Sequence, residues 1–268
     1  MRRPYSCGVF RLLACGLLAV ALCTIGASAA PAAKRADDSV FGGLGTWIDI
    51  YDGPVYAAPE RSAQHMSTRD VKTVWMETAN DGVAVDIVNP IRLGRLVDAL
   101  HARGIRVVAW YLPGHMKPAL DLRRSLAMLA FRSPEGGAFD GVALDIESTK
   151  LRNAALRSKR AVTLARQLRE PARVERDDRK GRVAGGALKG FDATYGYVTR
   201  ALRLLRTNTG NPDIPVHVAG GVANRLGPEE LAGFVAAVGD DGGMIGVSLY
   251  DWMTTPPRAW KALAPLNG

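Results

Sequence analysis

The segment 139–147 (FDGVALDIE) carries the clearest chemistry in this chain: a short apolar run that closes on two carboxylates. A run of this length and composition reads as a buried strand with a charged carboxyl-terminal tip. Side chains alternate along a strand, so Gly141, Ala143, Asp145 and Glu147 share one face and Val142, Leu144 and Ile146 the other. Two carboxylates two residues apart lie in each other's field, and partial burial pushes one pKa up. A carboxyl group that keeps its proton near neutral pH serves as a general acid. The plainer alternative is a solvated strand end, the usual fate of Asp and Glu.

The rest of the chain supplies similar tips. Asp49, Glu77, Tyr111, Tyr250, Asp251 and Trp252 all stand at the carboxyl ends of apolar runs. Those runs are 44–51, 71–78, 105–112 and 244–252, with a further run at 216–222. Helical periodicity falls between them, over 59–70, 90–103, 120–131, 151–169, 193–206, 228–238 and 257–263. In 90–103 the stripe is Leu93, Leu96, Val97 and Leu100, closed by Gly104. Strands alternating with helices predict parallel βαβ units. Functional residues gathered at carboxyl ends predict a (β/α)8 barrel of the TIM type. A doubly wound open sheet is the runner-up, but no Gly-rich phosphate loop follows the first strand.

The barrel is predicted to be incomplete. Six strands are recognisable, and the span between the fourth and Val216 holds two helices joined by a charged, Gly-rich stretch at 170–190. That stretch has no apolar run of strand quality and reads as an irregular insert or deletion scar. A barrel short of two strands leaves two unpaired edges.

The amino-terminal segment 1–29 reads as a signal peptide, with Arg2 and Arg3 at its start, an apolar middle and the small residues Ala27, Ser28 and Ala29 at its end. Residues 30–40 read as a flexible leader and 41–268 as one barrel-like domain. All three cysteines (Cys7, Cys15, Cys23) fall within 1–29, so the remainder has no thiol chemistry and no disulfide. Removing Arg2, Arg3 and Arg11 takes the formal charge from +9 to +6. No nucleic-acid motif accompanies this charge, so a solvated basic surface is expected. The four histidines (His65, His101, His115, His217) show no metal-ligand spacing, which predicts neither a metal nor another cofactor.

FDGVALDIE resembles the fourth strand of family 18 chitinases and related glycoside hydrolases, whose pattern is D-x-x-D-x-D-x-E. Asp140, Asp145 and Glu147 match it, and Ala143 replaces one Asp. LGTWIDIYD, VVAWYLP and GVSLYDW, with Trp260 downstream, resemble a group of secreted bacterial barrel proteins over most of 41–169 and 191–268. The resemblance implies hydrolysis of a β-linked glycan, with Glu147 as proton donor and Asp145 as its partner. Trp252 matches the Trp that floors a sugar subsite. Tyr250, Tyr111, Asp49, Glu77 and Asp251 are expected to bind substrate, with the last three as candidates for a second carboxylate. The family's sixth strand, with its Tyr, has no match between 170 and 191. The expectation is therefore a secreted monomer acting on a glycan or cell-wall polysaccharide, off the membrane once the leader is removed. The alternatives are a non-catalytic carbohydrate-binding barrel and an inactive truncated relic.

Overall fold

The computed structural model describes residues 11–14, 38–172 and 189–267. Six parallel strands form a curled half-barrel with flanking helices. In chain order they are β2 (Gly43–Ile48), β3 (Thr73–Asn80), β4 (Arg106–Leu112), β5 (Gly141–Leu144), β6 (Val216–Val222) and β7 (Met244–Tyr250). A short strand, β1 (Arg11–Ala14), precedes them, and the sheet order is β1-β6-β7-β2-β3-β4-β5. The incomplete barrel expected from the sequence is therefore the fold.

The helices are α1 (Gly53–Ala57), α2 (Pro59–Ser67), α3 (Pro90–His101), α4 (Pro118–Ala130), α5 (Ala154–Ala172), α6 (Phe191–Thr209), α7 (Pro228–Gly239) and α8 (Pro257–Leu263). Six of them carry Pro at the first or second position, where the missing N–H has no intrahelical partner to lose. The stripe predicted on 90–103 is buried as expected.

Three departures concern the sequence reading. The fourth apolar run forms a strand only over Gly141–Leu144, because Asp145 leaves the ladder and Ile146 and Glu147 form a turn. The alternation that put Glu147 beside Asp145 therefore stops one residue too early. The last strand ends at Tyr250, so Asp251 and Trp252 sit in the turn after it. Within the segment read as a signal peptide, Arg11–Ala14 pairs antiparallel with Val216–Ala219 on the edge of β6. The rest of that leader to residue 37, and 173–188 of the irregular stretch, lie outside the described residues.

Period-two alternation divides the core. The convex side of the sheet carries Leu44, Ile48, Val74, Met76, Val107, Val216, Val218, Val247 and Leu249 under the helices. The concave side carries an aromatic cluster of Trp47, Trp75 and Trp110, with Phe41 and Tyr250 packed against it. At the amino-terminal end of the barrel His217 is fully buried, with Nδ1 2.7 Å from the Phe41 carbonyl. That bond places the proton on Nδ1, so Ser248 donates to Nε2 at 2.9 Å and accepts from Trp47 Nε1 at 2.9 Å. Burial pulls His217 down to about 4, which keeps it neutral. It is a satisfied core histidine, as its position on a strand suggests.

Gly246 is where this layer is tightest. A Cβ there would stand 2.4 Å from His217 Nδ1 and 2.7 Å from the Gly43 carbonyl oxygen. Gly246→Ala therefore displaces the imidazole from Phe41 and strains two backbones. The expected cost is roughly 2–4 kcal/mol in denaturant unfolding. A cost under about 0.5 kcal/mol would mean that β7 shifts freely.

Candidate active site

The carboxyl ends of β2, β3, β5 and β7 converge on a group of acids. Asp49 follows β2 and is buried. The Tyr250 hydroxyl, at the end of the neighbouring β7, donates to it and lies 2.5 and 2.6 Å from its two oxygens. A phenol donor suits a carboxylate acceptor. Tyr250→Phe deletes that donor and leaves a buried carboxylate short of one bond, an expected loss of about 1–3 kcal/mol in a thermal melt.

Glu77, on β3, is 3% exposed. Its oxygens accept from Ile50 N at 3.1 Å and Asn80 Nδ2 at 3.0 Å. Burial, with added like charge from Asp49 and Asp145, pushes its carboxyl up to about 8. Glu77 is thus protonated at neutral pH, the property the sequence reading sought at Glu147. A register shift between Glu77 and Ala79 against β4 turns both Glu77 and Asn80 toward this group.

Asp145 is half-buried and near enough to raise Glu77. Its backbone N–H donates to the Tyr111 carbonyl at 2.8 Å, which fixes the chain as it leaves β5. Glu147 lies exposed on the turn, where its N–H donates to Asp145 Oδ1 at 3.3 Å. Asp140 has the opposite parity and stays structural, accepting from Val107 N at 2.7 Å and from His101 at 2.9 Å.

Two of the expected sugar platforms are elsewhere. Tyr111 is fully buried on the convex side, its hydroxyl donating to Asp121 at 2.7 Å and its ring under Arg124. It offers no face to a ligand. Trp252 packs with Trp260 and under Arg69 against the convex core. The turn that ends β7 one residue before Asp251 carries Trp252 away from the concave face. Asp251 is buried beside Asp49 and accepts from Thr254 N at 2.8 Å.

Four residues at this mouth were not predicted as site residues. The Asp52 carboxyl accepts from Asp49 N at 2.9 Å, and burial pushes it up to about 7. Tyr51, 68% exposed, accepts from Asn80 Nδ2 at 3.1 Å and is the aromatic at the rim. Tyr56 on α1 lies in the field of Asp52, Glu77 and Asp49. The D-x-x-D spacing of Asp49 and Asp52 was legible in the sequence; the convergence of Asn80 and Tyr56 was not, because neither belongs to an acidic pattern.

Fold and placement define a barrel with a cluster of carboxylates at its carboxyl-terminal mouth. The chain is similar in structure to a solved GH113 β-1,4-mannanase complex, with a TM-score of 0.51 at 12% identity, over 80% of this chain and 88% of that one. A dihydropteroate synthase from Xanthomonas albilineans is a more distant match, with a TM-score of 0.38 at 13% identity over 84% of this chain and 92% of that one. No family model and no curated protein matches the sequence. The first likeness supports the barrel fold seen in a glycoside hydrolase. Among the described residues no helix is long and apolar enough to cross a membrane.

Proposed function

We propose that this protein hydrolyses a β-linked glycan, with Glu77 as the proton donor and Asp145 as its carboxylate partner. The observation that carries the reading is a buried, protonated Glu77 flanked by Asp49 and Asp145 at the mouth of a barrel. Glu77 gives its proton to the glycosidic oxygen as the bond to the anomeric carbon breaks; a water then bonds to that carbon, and the proton it sheds restores Glu77. Asp145 faces the positive charge that develops on the sugar, and Asp49, held by Tyr250, lines the same wall. The mannanase likeness supports a β-linked polysaccharide as the substrate class.

The finer likeness to family 18 rests on Asp140, Asp145 and Glu147, and it makes Glu147 the competing donor. Geometry favours Glu77, because an exposed turn carboxyl lacks the burial that retains a proton. Assays on soluble β-linked mannan, glucan and chito-oligosaccharides decide between them. Under this reading Glu77→Gln loses about 10²–10⁴-fold in kcat and Glu147→Gln stays within severalfold. The reverse pattern assigns the acid to Glu147, and no turnover by the unmodified chain removes the reading. We further propose export, supported by the charged, apolar, small-residue order of 1–29 and by the absence of cysteine after it. A mass measurement of the amino terminus of material recovered outside the cell tests it.

A further inference from the structure

We propose that Asp49, Asp52 and Asp251 form a binding site for a calcium-sized divalent cation. One oxygen from each lies within 4.8 Å of the others. The residues come from two neighbouring strand ends. β2 and β7 pair in parallel, with Thr46 opposite Leu249. The chain then turns after β2, so that Asp52 N–H donates to the Asp49 carbonyl at 3.1 Å and Asp49 N–H to Asp52 Oδ2 at 2.9 Å. Asp251 is set by its bond from Thr254 N. Backbone N–H groups thus position the Asp52 and Asp251 carboxylates, and the Tyr250 hydroxyl positions that of Asp49.

All three oxygens fall within the span of roughly 5 Å that two oxygens bound to one calcium at about 2.3–2.6 Å can cover. An all-carboxylate donor set suits such a hard cation.

A second feature points to a ligand. Tyr56 is 7% exposed, its hydroxyl is buried, and that hydroxyl has no hydrogen-bond partner among the described residues. It lies in the field of Asp52, Glu77 and Asp49. A buried hydroxyl in this position calls for a partner, and a water on the cation supplies one. Histidine spacing, the basis for expecting no metal, carries no information about an all-oxygen site.

The test uses the full chain and two probes, calcium chloride and terbium chloride. Calcium at about a hundredfold over its Kd is expected to raise the melting temperature by roughly 5–10 °C. Asp52→Asn and Asp251→Asn should each remove most of that rise. Terbium luminescence, sensitised by Tyr56 and Tyr250, should appear on binding and be displaced by calcium. No calcium-dependent rise together with no terbium emission overturns the site. So does a rise that survives in both Asn variants, which places the ion elsewhere. Glu77→Gln should keep the calcium response while losing hydrolysis, so failure of the cation site and failure of the hydrolase reading are distinguishable.

Discussion

Replacing Glu77 with Gln is expected to abolish hydrolysis and, at the same time, to stabilise the protein at alkaline pH. Both effects come from one cause. The folded protein holds the Glu77 proton up to about pH 8, whereas the ordinary carboxyl value is 4.5. A folded pKa above the unfolded one means that the native state binds the extra proton. The stability contributed by Glu77 is therefore fully present below about pH 4.5 and is lost as pH rises through about 8. At about 1.4 kcal/mol per pH unit, ionising Glu77 in the folded state costs roughly 4–5 kcal/mol. Gln cannot ionise, so it avoids this cost.

The Gln amide meets Asn80 Nδ2, itself a donor, and that mismatch offsets about 1 kcal/mol. Urea unfolding at pH 5 and pH 9 reads the difference. Glu77→Gln should be neutral to slightly destabilising at pH 5 and more stable than the unmodified protein by about 3 kcal/mol at pH 9. Equal effects at both values would mean that Glu77 is not buried as an acid. The activity of the unmodified protein should fall as pH rises through about 8, when the donor proton is lost.

Trp75→Ala is expected to cost about 3–5 kcal/mol. Trp75 is fully buried at the centre of the concave face. It stacks on Trp47 at 5.0 Å and on Phe41 at 5.6 Å, and meets the edge of His217 at 5.2 Å. Truncation leaves a cavity among three rings that cannot collapse, because each belongs to a different element or is pinned by His217 and Ser248. In a protein of this size the melting temperature should fall by roughly 10 °C. Trp75→Phe is the informative control. The Trp75 indole N–H has no hydrogen-bond partner among the described residues, so Phe loses volume but no bond. Its cost should be under half that of Ala. Equal costs would mean that the concave face is loosely packed.

The order of strands and helices was readable because each element repeats a pattern shorter than itself. In the fold, alternation puts Trp47, Trp75 and Tyr250 on one face and Leu44, Val74 and Leu249 on the other. Pro and Gly marked most helix ends. The placement of Asp49, Glu77, Asp145 and Tyr250 at carboxyl ends followed from where the apolar runs stop, and these four do meet at the mouth. The failures lie where a strand stops. Whether Glu147 stands on a strand or a turn is decided by whether β4 still offers partners beyond Leu144, and nothing local reports that. Trp252 was misplaced for the same reason, two residues past the end of β7.

Sequence alone thus determined the class of barrel, its missing wall and the acids near its mouth, since periodicity and strand polarity are local properties. Only the tertiary structure decided which acid keeps its proton. Burial is set by the packing of distant segments: Ile50 and Asn80 close over Glu77, while Glu147, carrying the same functional group, is left in water. The same folding brings Asp251 to within reach of Asp49 and Asp52 across about 200 residues of chain. Local pattern fixes which groups are available, and desolvation, which depends on what covers them, fixes what those groups can do.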